Sequence, residues 1–126
     1  MSEFYLQLEG IPPSVNHYKT RFRNGNTVVS KEALAFKQLI AYALHGKYAA
    51  GPRFEIILSI TLGKKQKGDI DNFPKLVIDG LAEAGAFRSD KGDRVSDARV
   101  RHLEIFVNDR ERPDVGLTEV YVKGTL

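Results

Sequence analysis

"RFEIILSITLGKKQKGDIDNFPKLVIDGLAEAG", residues 53–85, changes its hydrophobic period part-way along. In its first ten residues Phe54, Ile56, Leu58, Ile60 and Leu62 recur at every second position, which places them on one side of a β-strand. From Phe73 onward the spacing becomes helical. Phe73, Leu76, Val77, Leu81 and Ala84 then share a stripe, and Gly85 is the stop signal. A lysine-rich, acid-bearing loop joins the two. A core strand, a charged loop and an amphipathic helix in direct succession are the frame on which the rest of the chain is read.

Upstream, Ser30 is placed to cap a helix over Lys31–Leu44, with Ala33, Phe36, Ile40 and Leu44 facing inward. Gly46 and then Gly51-Pro52 end it. Asn24-Gly25 predicts a tight hairpin turn within "RFRNGNTVVS", because both residues tolerate positive φ. Residues 3–9 alternate through Phe4, Leu6 and Leu8 as a further strand, which "IPPS" breaks. Downstream, two more strands are predicted near Val95–Val107 and Thr118–Lys123, separated by the turn-rich "NDRERPDVG". The order predicts an α+β fold, a single domain over residues 1–126, with a mixed β-sheet and two helices packed on it.

At 126 residues the chain is long enough to bury a core without covalent staples. It has no cysteine, which excludes disulfides, thiolate metal sites and thiol nucleophiles. The opening "MSEFYLQLEG" reads as a strand and not as a targeting peptide, and no apolar run reaches membrane-spanning length. The expectation is a cytoplasmic protein with no membrane role. Net charge is +3, unevenly spread. Residues 69–97 carry seven acids against four bases, so that segment is −3 and the remainder +6. A basic body with one acidic focus suits a partner that combines phosphates with a divalent cation.

Asp69 and Asp71 are that focus. At i and i+2 in an extended segment their side chains point the same way, and two like charges held so close need compensation. A divalent cation with a preference for hard oxygen donors provides it. Helix capping by Asp71 or Asn72 accounts for one acid only. Lys75 and Asp79 continue the pattern at four-residue steps, as surface ion pairs or, for Lys75, as a cation beside a bound phosphate. An EF-hand counted from Asp69 fails, since Phe73, Pro74 and Gly80 stand where a ligand, glycine and glutamate are required. "KKQKG" separates the aspartates from the strand, which argues against a phosphatase-type nucleophile, and the chain is too short for a sugar-nucleotide transferase. The loop "AFRSDKGDRVSD" offers Asp90, Asp93 and Asp97 as a third carboxylate, and spacing does not choose among them. His17, His45 and His102 are scattered without metal-ligand spacing and read as structural or surface residues.

The combination in "GDIDNFPKLVIDGLAEAGAFRSD", together with "IPPSVNHYKTR" and "VVSKEALAFK", resembles the RusA-type Holliday junction resolvases, the crossover junction endodeoxyribonucleases. The resemblance spans nearly the whole chain. It implies a Mg²⁺-dependent homodimeric nuclease, with Mn²⁺ as a substitute, that nicks four-way DNA junctions symmetrically. It also implies a phage or prophage origin. Carried over, Asp69 and Asp71 match the family's catalytic metal-binding aspartates, Lys75 its essential lysine, and Asp90, in register, the third aspartate. The family pattern then runs more directly to a valine; "SDKGDRV" is two residues longer, so Asp93 competes for the third role. Lys19, Arg21, Arg23, Lys64, Lys65, Lys67, Arg99 and Arg101 are the expected phosphate contacts. The alternatives are the same fold acting on forks or flaps, a branched-DNA-binding protein with weak or no turnover, and a metal-binding accessory protein.

Overall fold

The computed structural model describes residues 2–13, 19–21, 27–67 and 73–126, with backbone alone at 19–21 and 27–29. The strands are β1 (Glu3–Glu9), β2 (Lys19–Arg21), β3 (Thr27–Val29), β4 (Ala49–Ala50), β5 (Arg53–Thr61), β6 (Phe87–Arg88), β7 (Val100–Asn108) and β8 (Leu117–Thr125). The helices are α1 (Lys31–Leu44) and α2 (Pro74–Glu83). The architecture is α+β, with a mixed four-stranded sheet in the order β1-β8-β5-β7. β8 runs antiparallel to both of its neighbours, whereas β5 and β7 are parallel.

Strand alternation divides the sheet into two chemically distinct faces. Phe4, Leu6 and Leu8 of β1, Val120 and Val122 of β8, and Phe54, Ile56, Leu58 and Ile60 of β5 are buried beneath the helices. The predicted α1 stripe of Ala33, Phe36, Ile40 and Leu44 covers them, as do Leu76, Val77 and Leu81 of α2. The two helices meet where Gly80 faces Ile40; a Cβ there would lie 2.7 Å from the Ile40 Cδ1. Ser30 caps α1 as expected, its Oγ accepting from the Ala33 N–H at 3.2 Å. α1 ends at His45 in the left-handed region, one residue before the predicted Gly46 stop.

The other face carries its own polar cover. Glu3, Lys123, Glu55 and His102 line up across the four strands as one row, and Tyr5, Tyr121, Ile57 and Glu104 as the next. Bonds between rows tie them: Tyr5 donates to Glu119 at 2.6 Å, Tyr121 donates to Glu3, and Asn108 donates to Ser59 at 3.0 Å. Opposite-charge and aromatic cross-strand pairs of this kind let one face of a sheet stand against water.

Two expectations change in detail. β7 starts at Val100 and not near Val95, because residues 95–99 first return along β6 and then form a 3-10 turn, Asp97–Arg99. A short parallel contact between β4 and β6, absent from the sequence reading, ties the α1 exit to the α2 exit. The predicted hairpin is present as the antiparallel pair β2–β3, and its Asn24-Gly25 turn lies outside the described residues.

At the end of β4 the chain passes so close to β8 that a Cβ on Gly124 would lie 1.9 Å from the Ala50 carbonyl oxygen. Backbone on backbone leaves no side chain to swing aside. Gly124→Ala is expected to destabilise the protein by about 3 kcal/mol, lowering Tm by roughly 10–15 °C in a thermal melt.

Candidate functional site

Among the described residues, the start of α2 carries no polar cap. Its N-cap position is held by Phe73, which makes no side-chain cap bond and is buried among the core residues, with Pro74 opening the first turn. The cap expected from Asp71 or Asn72 falls in residues 68–72, outside the described residues, as do Asp69 and Asp71 themselves. No acidic residue occupies the first turn, while Lys75 does. The exposed amide N–H groups of a helix start already favour negative charge, and an ammonium in that turn strengthens the preference. Lys75 Nζ lies 3.5 Å from Asp79 Oδ2, the i,i+4 partner anticipated from spacing.

The chain reaches residue 68 through a braced loop. Gln66 Oε1 accepts from the Gly63 N–H at 2.7 Å, and Arg112, from the β7–β8 connection, donates to the Gln66 carbonyl at 3.0 Å. Lys64, Lys65 and Lys67 are exposed on this loop, and Lys64 pairs with Asp114 at 2.9 Å.

Asp90 and Asp93 lie on a closed hairpin at the other end of α2. The Gly92 N–H donates to the Ser89 carbonyl at 2.9 Å, and the Ser89 N–H donates to the Asp93 carbonyl at 2.8 Å. Gly92 takes φ +88°, a conformation that disfavours side chains. The Val95 N–H reaches the Phe87 carbonyl at 3.0 Å, so the strands on either side of the turn stay paired. Both acids are exposed. Arg88 and Arg94 hook the hairpin to Gly85 and Glu83, at the α2 C-terminus. Lys75 and the hairpin thus sit at opposite ends of a ten-residue helix, about 15 Å long.

The expected phosphate contacts are scattered along the chain. Lys19 and Arg21 belong to β2, where only the backbone is described, and Arg23 lies outside the described residues. Arg99 ends the 3-10 turn, which packs against α2. Arg101 falls at a bulge, where the register passes from Phe54↔Val100 to Glu55↔His102. Its guanidinium donates to the Ala98 carbonyl.

The sheet brings together one group that the sequence reading set aside. His102 Nε2 lies 2.8 Å from Glu104 Oε1 and 4.0 Å from Glu55 Oε1, on the open face away from α2. The His102-x-Glu104 spacing on a strand was a visible signal; Glu55 joins only through the parallel pairing of β5 with β7. Of the predicted metal ligands, the two described ones, Asp90 and Asp93, do not belong to this group.

A family model described as Endodeoxyribonuclease RusA matches residues 9–115. A search of curated proteins found no match.

The Glu104 hydrogen bond raises the His102 pKa above its ordinary 6.5; desolvation opposes it, and the charges of Glu55 and Glu104 add smaller upward contributions. A raised folded-state pKa stabilises below the unfolded value and loses that contribution as pH climbs through the folded value. Thermal melts between about pH 5.5 and 8.5 should show a decline above pH 6.5 that is smaller in His102→Gln. An NMR titration of the imidazole checks the direction of the shift directly.

Proposed function

The chain belongs to the RusA endodeoxyribonuclease family, and from that membership we propose a structure-selective endonuclease that resolves four-way DNA junctions by metal-dependent symmetric nicking. The observation that carries the reading is the family match across residues 9–115, which spans the Asp69/Asp71 loop, Lys75 and the Asp90 hairpin.

The proposed donors are carboxylates only: Asp69, Asp71 and a third acid from the hairpin, Asp90 by register with Asp93 as its competitor. An all-oxygen donor set fits Mg²⁺, with Mn²⁺ as a substitute. When bound, such a cation supplies Lewis acidity to the attacking water and the scissile phosphate. Lys75 supplies a fixed positive charge at the α2 N-terminus, the end next in sequence to Asp69 and Asp71. Standing in the first turn of α2, it stabilises the charge that accumulates on the phosphate oxygens in the transition state. Its pairing with Asp79 limits the directions its ammonium explores. The lysines at 64, 65 and 67 then hold the DNA backbone without reading bases.

A four-way junction has two-fold symmetry, and an isologous homodimer would present two such sites related by the same axis. The longer hairpin favours one competing reading, a junction-binding protein of the same fold without turnover.

The deciding experiment uses an end-labelled mobile four-way junction with Mg²⁺, with Mn²⁺, with EDTA, and with Asp71→Asn. Paired nicks that require both the metal and Asp71 are expected. Tight binding with no nicking in either metal would establish the binding-protein reading instead.

Binding itself makes a separate prediction. Neutralising Lys64, Lys65 and Lys67 to Gln should weaken junction binding and flatten its salt dependence. Lys64 already faces Asp114. The slope of log K against log salt should therefore fall by about two and not by three. An unchanged slope would remove these lysines from the interface.

A further inference from the structure

Arg88 is held on three sides, by two backbone carbonyls and one aromatic ring. Its Nε donates to the Gly85 carbonyl at 3.0 Å, its Nη1 donates to the Gly92 carbonyl at 3.0 Å, and its guanidinium lies 5.5 Å from the centre of the Tyr48 ring. Gly85 is the first residue past the α2 C-cap, and Gly92 sits inside the turn that bears Asp90 and Asp93. The side chain thus bridges the end of α2 to the acid-bearing hairpin, with Tyr48 from the α1–β4 connection beside it. A second arginine supports the same joint: Arg94 Nη1 approaches the Glu83 carbonyl at 3.4 Å. There is little slack, since a Cβ on Gly85 would lie 2.8 Å from Arg94 Nε and 3.1 Å from Arg88 Nη2.

We propose that Arg88 is a positioning residue for the hairpin carboxylates, fixing the angle at which Asp90 and Asp93 are offered to a divalent cation. This rests on the nuclease reading. The chemical logic is that a five-residue loop, Ser89–Asp93, closed only by its own hydrogen bonds can pivot as a unit about its base. A planar fork that satisfies one carbonyl in the turn and one on the helix removes that pivot. Lysine cannot reproduce it, because a single ammonium lacks the two fixed donors in one plane. Supports that orient ligands from behind commonly change metal affinity or activity by about 10–100-fold when removed.

The experiment compares Arg88→Ala and Arg88→Lys with the wild type by two readouts. The first is amide hydrogen exchange at Ser89 and Gly92, whose N–H groups close the turn and whose exchange requires no activity. The second is the Mn²⁺ concentration giving half-maximal junction cleavage. The expected result is exchange faster by about tenfold in Arg88→Ala, and a metal requirement raised by about tenfold in both variants. Junction affinity without metal should be unchanged.

Unchanged exchange in Arg88→Ala overturns the brace. So does faster exchange with a wild-type metal requirement, which would make the joint purely structural. Full rescue by lysine, with a salt slope lowered by about one in Arg88→Ala, would make Arg88 a phosphate contact instead. Absence of cleavage by the wild type would refute the nuclease reading and with it the metal role assigned to Arg88, while exchange would still score the mechanical bridge.

Discussion

The parallel pairing of β5 with β7 is the constraint from which the rest of the arrangement follows. Parallel neighbours cannot be joined by a tight turn, so the chain must leave the end of β5, cross the sheet and return to its beginning. α2 makes that crossing, and its apolar stripe of Leu76, Val77 and Leu81 covers the sheet face as it does so. A crossover of this kind has two connections, one at each end of the helix. In this protein residues 62–73 and residues 84–99 are those connections, and between them they carry every carboxylate proposed for the chemistry, while Lys75 stands in the first turn of the helix they flank. The distance between Lys75 and the Asp90 hairpin is therefore a property of the topology, set by the length of α2. Each connection is also clamped by an arginine that donates to main-chain carbonyls, Arg112 at Gln66 and Arg88 at Gly85 and Gly92. Loops that present side chains from a rigid frame need such fastenings, because their own backbone makes few ladder bonds.

Local periodicity made the elements legible, and topology was hidden for a physical reason. Phe54, Ile56, Leu58 and Ile60 announce a strand, and Ala33, Phe36, Ile40 and Leu44 a helix, because burial of one face imposes its period on the sequence. No such local pressure records which strand lies beside which. That β8, the last strand, sits between the first strand and β5 depends on contacts more than a hundred residues apart, such as Leu6↔Val120. The same gap explains the late start of β7. Val95 looks like strand, and it does continue an extended pairing, but with Phe87 in the hairpin and not with β5. Of the candidate site, Lys75 and its i,i+4 partner were readable from spacing. The clamping role of Arg88 was not, because its acceptors are main-chain carbonyls, which leave no mark in sequence. His102 was set aside for a related reason: half of its environment, Glu55, arrives from another strand.

The two faces of the sheet divide the protein's electrostatic work. On the open face Glu3, Glu9, Glu55, Glu104 and Glu119 outnumber Arg53 and Lys123, so a polyanion gains nothing by approaching there. The exposed lysines of residues 64–67 lead instead into the connection at the α2 N-terminus. That terminus also holds Lys75 and carries no first-turn acid to offset its field. Partitioning of this kind costs the fold little, because the open-face acids are already engaged: Glu119 accepts from Tyr5, Glu3 from Tyr121, and Glu104 shares a proton-dependent contact with His102. Five of the sixteen acids thus lie on the open sheet face and five on the two connections around α2, so a net charge of +3 coexists with a locally basic stretch at residues 64–67.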